Sequence, residues 1–207
     1  EGKAMKYTKV PTDTFKHIQL NAGVLCTGFN LYTGEVTGLI GATNGGVNVS
    51  LVPTTKDFGE GIDNVPSNTY QLKKIESWSA TMSGTFVTVT SATAKLLLSA
   101  ATVSQSAEPP SGTTAAYTFK KITPNEQFQS TDFTTVWWVG DYSDDNSEST
   151  GKYIAIRMDK VASSAGFVIQ SANKDKGSFA FNFAAHYDLE HPETIPFEAF
   201  VADIEAA

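Results

Sequence analysis

The sequence predicts a mainly β protein, an antiparallel β-sandwich or barrel with one packed α-helix, in a single domain over 1–207. Three observations carry this. Short apolar–polar alternations recur along the chain between clusters of Gly, Asn, Asp and Ser. Only one stretch, about 91–104, has apolar residues at helical spacing. Thr and Ser, more than charge, fill the polar surface, and β-branched Thr favours strands.

Taken in order, residues 1–14 are polar, contain Pro11 and show no period, so they read as a flexible N-terminal arm. Ile18, Leu20, Ala22 and Val24 alternate with polar residues and predict a half-buried strand. Asn30 to Gly34 is a turn, because Asn and Gly accept positive φ. The stretch Gly41 to Gly46 reads as a β-hairpin turn; no Gly-Lys-Ser/Thr follows, so it is not a phosphate loop. Val47, Val49 and Leu51 mark the next strand.

About 53–70 holds Pro53, Asp57, Gly59, Gly61, Asp63, Asn64 and Pro66 and predicts a long loop, a length that usually signals function. Trp78, Ala80 and Met82 alternate with small polar residues. Gly84 marks a bulge or bend before Phe86, Val87 and Val89. The helix starts with Thr90 or Ser91 as N-cap, and Ala94, Leu97, Leu98 and Ala101 form a stripe that needs a sheet face. Strands resume near Tyr117–Ile122, Val136–Val139, Tyr153–Met158, Phe167–Ile169 and Phe179–Phe183, with turn clusters between them.

Charge sets limits on function. Fifteen basic and 22 acidic residues give −7, and Arg157 is the only arginine. A surface built to grip phosphates leans on Arg clusters, so nucleic-acid recognition is excluded as the main role. No apolar run approaches the ~20 residues of a transmembrane helix, and Glu1-Gly2-Lys3 opens without an apolar signal core. The single Cys26 has no internal disulfide partner and points to folding in a reducing compartment.

Several residues invite sharper readings. Asp141 to Glu148 carries four carboxylates, but lacks the spacing and central Gly of a calcium loop, so a solvated loop is preferred. His186, Asp188 and His191 include zinc-ligand types, yet match no helical ligand spacing, with Pro192 adjacent. Asp57, Glu60 and Asp63 pose as a glycosidase pair only if they flank a cleft. Trp137 and Trp138 point to opposite faces of one strand, so core packing is preferred to a sugar platform.

Five segments carry a family resemblance as an ordered set: Gln19–Val24, Gly41–Gly46, Asp57–Pro66, Leu72–Trp78 with Met82–Thr85, and Ala92–Leu97. Together they resemble the major tail (tail tube) protein of long-tailed bacteriophages and prophages of Gram-positive bacteria. The likeness covers the first half closely and the second half in style. Gly61 departs from it, standing where the family motif has an acidic residue.

The resemblance implies a structural subunit, with no catalysis and no cofactor, that forms rings, expected to be hexameric, which stack into a tube. It implies self-contacts, tape-measure and tail-terminator partners, double-stranded DNA passing without specific binding, no membrane, and a virion tail assembled in the bacterial cytoplasm. The −7 charge leads to the expectation of an acidic bore. Asp57, Glu60, Asp63 and Asn64 are the expected subunit-interface residues. The N-terminal arm, the 53–70 loop and the segment 193–207 are the expected stacking elements. The alternative is a β-sandwich binding module or adhesin for surface glycans, which would expose an aromatic platform beside a loop cluster.

Overall fold

The computed structural model describes residues 18–19, 21–105, 111–114, 117, 119–141 and 152–202. The N-terminal arm and most of the acidic Asp141–Glu148 loop therefore lie outside the described residues. The fold is mainly β with antiparallel pairing and, among the described residues, one α-helix.

Its elements are β1 (Val24–Phe29), β2 (Val36–Leu39), β3 (Thr43–Asp57), β4 (Lys73–Phe86), α1 (Ser91–Leu98), β5 (Ala101–Gln105), β6 (Lys120–Pro124) and β7 (Thr134–Asp141). After these come β8 (Tyr153–Ser163), β9 (Val168–Gln170), β10 (Ser178–Ala184) and β11 (Phe197–Val201). Nine strands join in one hydrogen-bonded array, and β5 pairs with β6 apart from it.

The array forms two layers because β8 changes partners along its length. Its Ile154–Met158 part lies between β7 and β11. Its last residues, Ala162 and Ser163, pair with β10. Between the two parts Lys160 takes φ 50°, a left-handed conformation that turns the strand. The first layer runs β2-β1-β7-β8 with β11 beyond β8. The second runs β10-β4-β3, with β9 beside the first half of β10.

Period-two alternation then fills the space between the layers. Leu25, Val136, Trp138, Ile156 and Met158 come from the first layer; Ala80, Met82, Phe86, Phe181 and Phe183 come from the second. Phe181 stacks on both Phe86 (4.3 Å) and Phe183 (5.0 Å), while Phe86 and Phe183 meet at a tilt with centroids 6.3 Å apart. Because the first layer's strands are apolar on both faces, a second cluster of Cys26, Trp137, Val139 and Ala155 lies on its far side. Trp138 and Trp137 thus point to opposite faces and both are buried, as core packing requires.

Helix α1 closes one open side of the sandwich. The Thr90 side chain accepts from the Thr93 N–H (3.2 Å), as an N-cap should. Leu97 enters the main core, and the Thr93 hydroxyl donates to the Ile40 carbonyl (2.7 Å).

Several expectations need correction. The helix ends at Leu98, not near 104, because Ser99 takes φ 57° and its hydroxyl bonds the Ser163 backbone. The next residues, with β-branched Thr102 and Val103, form β5 instead. The strand expected from Ile18 begins only at Val24, after Asn21 caps the Gly23 N–H and Gly23 takes φ 69°.

Gly41–Gly46 is not a hairpin turn. It carries the chain from β2 in one layer to β3 in the other, and the extra residues between Thr43 and Val47 bulge out of the ladder. Gly84 itself keeps register. It is glycine because a Cβ there would meet the Phe181 ring at 2.8 Å and the Gly46 carbonyl, within that bulge, at 2.9 Å. Strand β4 stops at Phe86, so Val87 and Val89 are not in it. Within the 193–207 segment expected to take part in stacking, Phe197–Val201 forms a strand that pairs with β8 as β11.

Candidate functional site

The longest pairing among the described residues is the β3–β4 hairpin, which runs from Val47↔Gly84 to Asp57↔Lys73 with one shift of register. Strand β10 supports β4 only from Thr81 to Phe86. The body still holds Trp78, whose N–H donates to the Tyr187 hydroxyl (2.8 Å) and whose ring meets Phe197 (5.5 Å). Beyond it the two strands continue as a two-stranded arm, so Pro53–Asp57 belong to β3 and the expected 53–70 loop shrinks to the tip after Asp57. A shift between Thr54 and Thr55 sets Glu76 out of the ladder. Among the described residues no strand pairs with the far side of β3. Pro53, which has no N–H to donate, fits such an edge.

The tip is tightly organised. The Asp57 carboxylate accepts from the N–H of Gly59 (2.8 Å) and of Asn68 (2.9 Å), joining both ends of the loop. Phe58 N–H donates to the Leu72 carbonyl, and the Ile62 and Val65 N–H groups close successive turns. Gly61 sits at φ 80° and Asn64 at φ 64°. Glycine adopts such a left-handed conformation at no steric cost, and a short Asn tolerates it.

All four expected interface residues lie in this tip, with different roles. Asp57 is spent on the loop's own backbone. Glu60, Asp63 and Asn64 are exposed. What the sequence reading missed is the apolar content beside them: Phe58 (52% exposed), Ile62 (50%) and Tyr70 (80%), followed along the arm by Ile75. A run of apolar residues at the end of a projecting ribbon is a surface fit for another chain.

The outward face of the second layer differs in character. Register places Ser77, Ser79, Thr81, Ser83 and Thr85 of β4 on it. Opposite them stand Asn48, Ser50, Val52 and Thr54 of β3 on one side. On the other side stand Ala180, Asn182 and Ala184 of β10. All are at least partly exposed.

Other candidates are less organised. Asp188 pairs with Lys160 (3.3 Å) and accepts from the Glu190 N–H; His186 Nδ1–H donates to the Lys160 carbonyl (3.0 Å). The backbone bond first, and the Lys160 ammonium second, hold the Asp188 carboxyl below its usual range. Among the described residues no three His, Cys, Asp or Glu groups converge where they could hold a metal ion. Burial pushes the Cys26 thiol up.

A cleft of about 820 Å³ lies on the far side of the first layer and is lined by Asn21, Leu31, Tyr32, Asp141 and Tyr153 among others. Tyr32 is 99% exposed there. A scan against protein-family models finds no match to this chain, and a search of curated proteins finds none.

Proposed function

We propose that this chain is a self-assembling structural subunit, the major tail (tail tube) protein of a long-tailed phage or prophage, whose rings stack into a conduit for DNA. The observation that carries this reading is the β3–β4 arm, a projecting ribbon with an unpaired edge and an apolar, pre-shaped tip.

An isolated two-stranded ribbon is marginal in water, and an open edge invites pairing. Both are relieved if the arm and edge are completed by a neighbour. A contact between the tip of one copy and an unlike surface of the next is heterologous, and such contacts generate rings or open stacks. Tape-measure and tail-terminator partners follow from the sequence resemblance alone.

The test is to shorten the arm. Replacing Thr55–Glu76 by Asn-Gly closes the hairpin between the Thr54↔Ser77 pair and leaves the layers intact. The shortened protein is expected to melt cooperatively near the parent yet form no tubes by electron microscopy. Normal tubes from it would overturn the reading. Tyr32 above its cleft favours the second reading, a glycan-binding module. Saturable glycan binding lost in Tyr32→Ala, by a chain that stays monomeric, would favour that instead.

A further inference from the structure

We propose that the outward face of the β10-β4-β3 layer is the wall of the bore, and that it passes DNA because it is neutral rather than acidic. This rests on the tube reading above and gives that tube's inner surface a position and a chemistry.

None of the outward residues from Ser77 to Thr85, nor their neighbours on β3 and β10, is ionisable. Where β9 extends this face, it adds Val168 and Gln170 opposite Ala180 and Ser178. From Ser77 to Thr85 the patch runs about 27 Å, and from β3 to β10 about 10 Å. At the chain's own 18% share of charged residues, roughly two or three ionisable groups belong on a patch this size. Charge returns at both ends, at the opposed Lys56 and Lys74 on one and at Asp175 and Lys176 on the other.

Absence of charge alone would suit a buried interface. The composition argues otherwise. Interface cores are rich in aromatic residues, Met and Arg and poor in Ser and Ala. This face has Ser, Thr, Ala, Asn and Gln, with Val52 and Val168 as its larger apolar side chains, and no aromatic residue, Met or Arg. It is uncharged and also lacks anchors, which is what a surface needs if a polyanion must move along it. A lysine there would hold phosphates at every copy along the tube, and an acid would repel them at every copy. The tip of the arm, by contrast, has the apolar anchors.

The test uses Ser83→Cys, at the centre of the face, and Asn48→Cys as a second variant on β3. The native Cys26 is fully buried, so wild-type protein is the blank. Variants are treated with a small maleimide and with a maleimide on a polymer too bulky to enter the bore, before and after tube assembly. The expected result is that both reagents label free subunits, while assembly abolishes labelling by the bulky reagent only.

Labelling of tubes by both reagents would put the face outside, and labelling by neither would put it in a subunit contact; either overturns the proposal while leaving the tube reading intact. Wild-type protein that never forms tubes overturns the reading beneath it. In a parallel arm, Ser83→Lys tubes are expected to retain duplex DNA, released by salt, where wild-type tubes retain none. Equal retention would refute the role given to neutrality.

Discussion

The arm's tip should depend on Asp57 for its shape, and its shape should matter to assembly far more than to folding. Asp57→Ala removes two acceptors, for Gly59 N–H at 2.8 Å and Asn68 N–H at 2.9 Å. A net hydrogen bond contributes about 1 kcal/mol, and solvent reaches this loop, so the loss is about 2 kcal/mol. At 1.4 kcal/mol per tenfold, ordering of the tip weakens roughly thirtyfold.

Asn at this position keeps one acceptor oxygen and loses about half as much, roughly fivefold. The tip can open without disturbing the layers, so the loss is local. Melting should fall by less than about 3 °C, against about 2–4 °C per kcal/mol for a global loss in a chain of this size. The assay pairs a melting curve with the critical concentration for tube formation by light scattering. That concentration should rise up to thirtyfold for Ala and about fivefold for Asn. A large fall in melting temperature, or unchanged assembly with tip amides shown unprotected by hydrogen exchange, would refute the reasoning.

The other predictions concern the body of the fold. Phe183→Ala opens a cavity in the interlayer core and should lower unfolding free energy by about 3–5 kcal/mol in urea; a loss under about 1 kcal/mol would contradict the packing. Cys26 should resist thiol reagents in native protein and react once in denaturant. Its folded pKa is raised, so the stability from keeping it neutral is present below the ordinary value of 9.0 and lost as pH rises through the folded value. Urea midpoints at pH 8 and pH 10 should show that decline, and rapid native labelling would contradict it. Asp188 titrates below its ordinary 3.8, so its contribution is present above 3.8 and lost as pH falls through the depressed value. Melting curves from pH 5 down to pH 2 should be less pH-dependent in Asp188→Asn, and an unchanged profile would contradict the Glu190 N–H and Lys160 contacts that depress it.

Much of the fold was legible because alternation reports burial directly. The phenylalanines at 179, 181 and 183 share one face in the sequence and one core in the fold. The Thr90 cap was legible because capping is local. What failed depended on partners distant in sequence. The helix stops where Ser99 meets Ser163, and the Gly41–Gly46 stretch crosses layers, which no local pattern encodes.

The candidate site was half legible. Its tip stood out through Gly, Pro and Asp, but Pro53–Asp57 looked like loop because an unsupported edge strand has no buried face to alternate. The inward use of Asp57 required knowing that Gly59 and Asn68 face it. The neutral face was invisible until register placed three strands side by side.

The central claim, that exposed strand edges and the arm are completed by further copies, is tested most directly by one titration. The 207-residue chain should be followed by sedimentation velocity and electron microscopy over rising concentration and varied salt. The account predicts a cooperative passage from free subunits to rings and hollow tubes of uniform width. Protein that sediments as a monomer at every concentration and salt, with no ring seen, would contradict it.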